Sequence, residues 1–293
     1  MKGFNSRSVI VNADDMGLHT AINRGIAEAY RNGIVTSASV IVGGDAFEEA
    51  VDFLKENPGL DAGVHLTLVE ERPVAPASKV PSLINPDGYM RSTYRSFVWD
   101  WCSGIIKASE VEYELEAQVA RLVQHGIRPS HLDSHQHVHC LPGIWGLTLK
   151  VARKHRVPFV RLPAFDRLRC DGESFPVTFF RSGVNVLSFI HRRLSPVGIR
   201  FADRMIGTSY SGQMTADRLL GILDAIPPGV TEILVHPGLA DEHLHNRYRH
   251  WENFNWSNDL HAVTDPLVVE RCSKADIALT SFARLAQDRS NPA

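Results

Sequence analysis

Short apolar runs alternate with segments of helical apolar spacing along most of the 293-residue chain. Val9-Ile10-Val11 predicts a strand, and Ile22, Ile26 and Tyr30 predict a helix that Gly33 stops. Residues 35–42 predict a second strand, Phe47, Val51 and Leu54 a helix closed by Pro58-Gly59, and residues 63–68 a third strand. Ser109 and Glu112 have capping-box spacing ahead of a helix through Val111, Leu115, Val119 and Leu122. Residues 130–134 predict a strand, Ile144, Leu147 and Val151 a helix, and residues 157–162 another strand. Residues 219–226 then predict a helix, 232–235 a strand, and 265–278 a last helix before residues 279–282.

Repeated strand–helix units require right-handed crossovers and a mainly parallel sheet. Strands covered on both faces read as apolar runs, and their functional groups collect at the C-terminal ends. Asp14-Asp15, His65, His135, Arg161 and His236 each stand at or just past such an end. Groups from five strands meet at one mouth only if the sheet curls, so the pattern predicts a barrel-like α/β fold in one domain over residues 1–293. Two stretches break the rhythm. Residues 70–108 carry four prolines and the aromatics Tyr89, Tyr94, Phe97, Trp99 and Trp101, which suits a lid or a packed excursion. Residues 166–214 are irregular, with an apolar run over 179–194 that predicts a core or dimer-contact helix, or a surface meeting a lipid-linked substrate.

Composition adds mainly exclusions. Lys plus Arg number 31 against 33 Asp plus Glu, so no basic surface for nucleic acid is expected. Cys102, Cys140, Cys170 and Cys272 lie far apart and form no Cys-x-x-Cys pair, which predicts a reduced, cytoplasmic protein. Neither a signal peptide nor a membrane span is expected.

The densest chemistry is His131-Leu132-Asp133-Ser134-His135-Gln136-His137-Val138-His139. Imidazoles with a carboxylate are common ligands of catalytic metals. If the stretch is extended, His131 and Asp133 share one face, as do His135, His137 and His139; not all can ligate one ion. Asp133 is then a candidate partner for a ligand's other ring nitrogen. Asp14-Asp15 is also readable as a helix N-cap and His65 as a hydrogen-bonded core residue. A metal held by Asp15, His65 and His135, from three strands, would keep open positions for water and substrate. Asp14 would then be free to act as base and His236 as acid, with Arg161 pairing Asp14. His243, His245, His250 and His261 lie in a polar region and read as solvent-facing.

The string Val11-Asn12-Ala13-Asp14-Asp15-Met16-Gly17-Leu18 resembles the N-terminal signature of the YdjC-like carbohydrate deacetylases. The likeness continues through residues 33–39, Gly63-Val64-His65-Leu66, the histidine-rich stretch and His236-Pro237-Gly238. The resemblance implies a distorted, TIM-like (β/α) barrel and removal of acetate from an N-acetylated amino sugar. It places the metal on Asp15, His65 and His135 and the base on Asp14, and it implies a homodimer. Met16 departs from the family's usual phenylalanine. Val69-Glu70-Glu71-Arg72-Pro73-Val74 and Pro81-Ser82-Leu83-Ile84 are similar to the hopanoid-biosynthesis branch, which implies an N-acetylglucosaminyl hopanoid lipid as substrate. The competing substrate is a soluble chitooligosaccharide; the competing classes are a non-catalytic, metal-dependent glycan-binding protein and a metal-dependent sugar isomerase. One divalent ion is expected, with zinc favoured by mixed His/Asp ligation and magnesium as the alternative.

Overall fold

The computed structural model describes residues 7–163, 186–195, 198–251, 254–274 and 276–288. Eight strands form one parallel sheet: β1 (Arg7–Met16), β2 (Ser37–Val40), β3 (Asp61–Leu66), β4 (His131–Ser134), β5 (Phe159–Val160), β6 (Arg204–Ile206), β7 (Gly229–Val235) and β8 (Ile277–Thr280). Their order is β5-β4-β3-β2-β1-β7-β6, with β8 also paired to β1. β7 runs along Arg7 to Ala13 of β1, so β8 at Arg7–Ile10 and β2 from Asn12 onward share the other edge in succession. Val160 N donates to Arg200 O (3.1 Å) and Arg200 N to Pro158 O (2.9 Å), linking β5 to the chain just before β6. The sheet is therefore curled, with its two ends joined by one bridge rather than a full ladder. β5 and β6, of two and three residues, are too short to build one.

β3 and β4 are buried along their whole length and β1 from its third residue onward, as expected of parallel strands covered on both faces. The helices are α1 (Thr20–Asn32), α2 (Phe47–Glu56), α3 (Tyr94–Cys102), α4 (Ala108–Gln124), α5 (Ile144–Lys154), α6 (residues 186–194), α7 (Ala216–Ala225), α8 (Glu242–Arg247), α9 (Trp256–Thr264), α10 (Pro266–Ser273) and α11 (Phe282–Gln287). Ile22, Ile26 and Ala29 of α1, and Phe47, Ala50, Val51 and Leu54 of α2, are buried in the main core. Among the described residues, no helix is long and apolar enough to cross a membrane.

Three expectations need correction. α4 starts at Ala108, its N-cap is Lys107 and no side chain caps it, so Ser109 lies inside the helix and makes no capping box. The predicted terminal helix ends at Ser273; Lys274 is extended and residues 277–280 become β8, which pairs with β1. α6 is not a core helix: Val186, Phe189, Ile190 and Leu194 are exposed while Ser188 and His191 are buried. The remainder of the predicted 179–194 run, and residues 166–178 of the second insertion, lie outside the described residues.

The 70–108 insertion is tied to the barrel by one buried stripe of α4. Glu114 accepts from Val74 N (2.8 Å) and Ala75 N (2.9 Å), Glu110 from Ser82 N (2.6 Å), and Gln118 bonds both Thr67 N (2.9 Å) and Thr67 O (2.7 Å). These three residues are four apart, so one helix face holds both Thr67, just past the end of β3, and the first part of the excursion, through Ser82.

Candidate metal centre and active site

Adjacent residues of a regular strand point to opposite faces, which would separate Asp14 from Asp15. β1 avoids this with a register shift between Ala13 and Met16, where Asp15 takes φ +68°. A bulge of this kind re-aims side chains, and here both carboxylates line one cavity. Aspartate tolerates left-handed backbone better than most residues, though at some cost in strain.

Asp15 Oδ1 lies 3.2 Å from His65 Nε2 and 3.0 Å from His135 Nδ1. All three residues are buried, and one ligand atom from each lies within 4.8 Å of the others. Donors about 2.1 Å from one tetrahedral ion stand roughly 3.4 Å apart, close to these separations. Among the described ion pairs, Asp15 meets only these two histidines. Burial disfavours an imidazolium, yet Asp133, Asp14 and a hydrogen bond to Asp15 push His65 up to about 9. The pocket's carboxylates thus favour positive charge at that spot. His65 Nδ1 meets Asp133 Oδ1 at 2.8 Å, which directs Nε2 at Asp15. The donor set fits a divalent cation.

A second group, Asp14, His65 and Asp133, has comparable spacing but already holds a cation. Fully buried Arg161 donates from Nη1 and Nη2 to Asp14 (2.6 and 2.7 Å) and from Nε to Glu232 Oε1 (2.7 Å), and its Nη2 lies 2.9 Å from Asp133 Oδ2. Asn12 Nδ2 (2.8 Å) and Ser39 Oγ (3.2 Å) also donate to Asp14. Arg161 therefore pairs Asp14 as the sequence suggested, but with two further carboxylates.

The histidine-rich stretch is not extended beyond Ser134. Gln136 and His137 have φ of +53° and +55°, so residues 135–140 turn sharply and the shared face of His135, His137 and His139 does not exist. Only His135 enters the metal group. His131 stacks on Phe282 with ring centroids 4.2 Å apart, and a Cβ on Gly63 would lie 2.4 Å from its ring. His139 Nε2 meets Arg161 O at 2.9 Å, and burial pushes it down to about 4.

His236, just past β7, lines the same cavity. Its amide donates to Asp259 Oδ2 (2.8 Å), and its Nδ1 is 3.8 Å from that oxygen, a coulombic rather than a hydrogen-bonded approach. Burial opposes protonation of His236, but Asp259, Asp15 and Asp14 outweigh it and raise its pKa. Asp259 was not visible in the sequence; nothing marks an acid in the first turn of α9 as facing a strand end.

The cavity measures 880 Å³, and its walls include Tyr94, Leu141, Leu187, Trp251 and Phe254. Two further members were not anticipated as part of the site. His250 is exposed, as the sequence suggested, and also lines the cavity, where its Nε2 approaches Glu70 Oε1 at 3.1 Å. Glu70 itself reaches in from the insertion and meets His135 Nε2 at 3.2 Å.

The profile of the YdjC-like protein family matches residues 8–274. The chain belongs to this family. The carbohydrate deacetylase of Geobacillus stearothermophilus is 31% identical to it over 277 residues, covering 94% of this chain and 97% of that one. The mouse carbohydrate deacetylase is 34% identical over 247 residues, 78% of this chain and 77% of its own length. Among solved structures, a candidate cellobiose-phosphate cleavage protein of Enterococcus faecalis superimposes with a TM-score of 0.75 at 26% identity, covering 96% of this chain and 99% of that one. The curled parallel sheet with its flanking helices is thus the fold of the YdjC-like chain as a whole.

Proposed function

We propose that this YdjC-like protein is a metal-dependent carbohydrate deacetylase that hydrolyses the acetamide of an N-acetylglucosamine-containing glycoconjugate, in one catalytic domain. The observation carrying the reading is the buried Asp15–His65–His135 group with a second acid, Asp14, one residue from a ligand. The carbohydrate deacetylases to which the chain is similar support it. Asp15, His65 and His135 would hold the ion, and zinc suits this mixed donor set. When bound, such an ion polarises the carbonyl and acidifies water.

Asp14 takes the proton of the attacking water. Four donor contacts hold this carboxylate in place, three on Oδ1 and one on Oδ2, so Oδ2 keeps a lone pair for the proton. His236 follows Val235, which pairs with Ala13 just before Asp14; its part-buried imidazole holds a proton that Asp259 favours, and it gives that proton to the departing amine. Arg161 keeps Asp14 oriented throughout. Trp251 and Phe254 offer faces on which a sugar ring can stack.

The apolar walls at Leu141 and Leu187 favour a substrate with an apolar aglycone, consistent with an N-acetylglucosaminyl hopanoid. The Trp251 and Phe254 faces equally suit a chitooligosaccharide. Incubating zinc-loaded protein with each compound and scoring loss of one acetyl group by mass separates the two. A glycan-binding protein would bind without releasing acetate, and a sugar isomerase would change the sugar without releasing acetate. Release that survives both Asp14→Asn and His135→Ala would overturn the catalytic assignment.

A further inference from the structure

We propose that Glu70, carried by the insertion rather than by any strand end, is the positioning carboxylate that orients His135 toward the metal. This rests on the metal reading above. His135 presents its two ring nitrogens to two acids: Nδ1 to Asp15 at 3.0 Å and Nε2 to Glu70 Oε2 at 3.2 Å. A proton on Nε2 donated to Glu70 leaves the Nδ1 lone pair facing Asp15 and His65. His65 is handled the same way, with Asp133 on its far nitrogen and Asp15 near the other. Each candidate histidine ligand thus has its own outer carboxylate, the arrangement that fixes tautomer and ring orientation at metal sites.

Glu70 is not itself in the metal group, since it lies at the opposite corner of the His135 ring. Its placement is closely constrained. Its backbone sits at φ +68°, a strained conformation for a glutamate that persists only where neighbours enforce it. Glu70 N donates to Arg91 O (2.7 Å), and Met90 N to Glu71 O (2.9 Å), while Gln118 holds Thr67 from the other side. The side chain is buried and its second oxygen accepts from Gln136 Nε2 (3.0 Å), the residue whose left-handed turn follows His135. Glu70 therefore holds both the ligand and the turn that presents it. Neighbouring Glu71 faces elsewhere, taking Tyr248 Oη (2.6 Å) and Arg247 Nη2 (2.7 Å). That divergence makes Glu71 the control for loop seating.

The test is zinc affinity, measured by competition with a chromophoric chelator, in Glu70→Gln, Glu70→Ala, Glu71→Gln and His135→Ala. Glu70→Gln keeps shape and an acceptor but loses charge, and is expected to weaken zinc about 10-fold, with Glu70→Ala nearer 100-fold. The visible absorption of the cobalt-loaded protein should shift in both. Glu71→Gln should stay within twofold of wild type. Zinc affinity within twofold of wild type in Glu70→Gln overturns the proposal, and this isosteric variant decides the matter if Glu70→Ala does not fold. Equal weakening by Glu71→Gln also overturns it, because the loop's seating would then be responsible. If His135→Ala binds zinc as tightly as wild type, the metal reading itself falls, a failure separate from that of Glu70.

Discussion

Replacing Arg161 with methionine removes the one guanidinium on which three buried carboxylates depend. Asp14, Asp133 and Glu232 lie 2.6–2.9 Å from its nitrogens, and all four residues are nearly inaccessible to water. Methionine fills most of the volume, so the loss is electrostatic rather than a cavity. Breaking a buried ion pair by removing one partner costs about 3–5 kcal/mol, because the remaining charge is left without compensation. At about 2–4 °C per kcal/mol, the thermal midpoint should fall by roughly 6–20 °C. The orphaned acids take up protons in the fold, so native protein binds more protons than unfolded chain. Stability then falls as pH rises, and the deficit shrinks towards acid. Arg161→Lys keeps the charge but cannot reach three acids at once, and should lie between the two. Urea denaturation followed by circular dichroism at pH 5.5 and 8 reads all three proteins. A methionine variant within 1 kcal/mol of wild type, or a deficit identical at both pH values, would refute the reasoning.

Asp14→Asn should lower kcat by about 10²–10⁴-fold while zinc affinity stays within a few-fold, whereas Asp15→Asn should lose zinc as well; chelator competition beside acetate release separates them. His236→Gln should lower kcat with little change in KM, and Asp259→Asn should do so less severely, since Asp15 and Asp14 still favour the proton on His236. Burial, with like-charge repulsion from Asp133 and Asp14, pushes Glu232 up to about 7 although Arg161 pulls it down. A carboxyl with a raised folded pKa contributes stability that is complete below its unfolded pKa and lost as pH rises to about 7. Glu232→Gln should therefore flatten that fall in a stability profile from pH 4 to 8, and an unchanged slope would count against it.

The fold was legible where strands are buried on both faces. β1, β2, β3 and β7 read as apolar runs, and α1, α2 and α5 as 3.6-residue periodicity. The same logic exposed the site, because Asp15, His65 and His236 interrupt or end such runs where a core would hold leucine or valine. Backbone reversals at non-glycine residues were not legible. The bulge at Asp15 and the turn at Gln136 and His137 use left-handed conformations that no glycine announces, so the extended reading of residues 135–139 failed. Nor could spacing reveal Glu70, Glu232 or Asp259, which reach the site through packing between elements far apart in sequence. The last helix was misplaced for a similar reason: β8 forms because β1 offers the first half of an edge.

Diffraction from zinc-loaded crystals at the zinc absorption edge tests the centre most directly. The account predicts one strong anomalous peak bounded by Asp15, His65 and His135, at about 2.0–2.2 Å from each donor atom. His19, Asp241 and His243 form another group of suitable spacing, partly exposed, in which His19 and Asp241 already cap helices. A peak there with none beside Asp15, or no ordered zinc at all, would contradict the account.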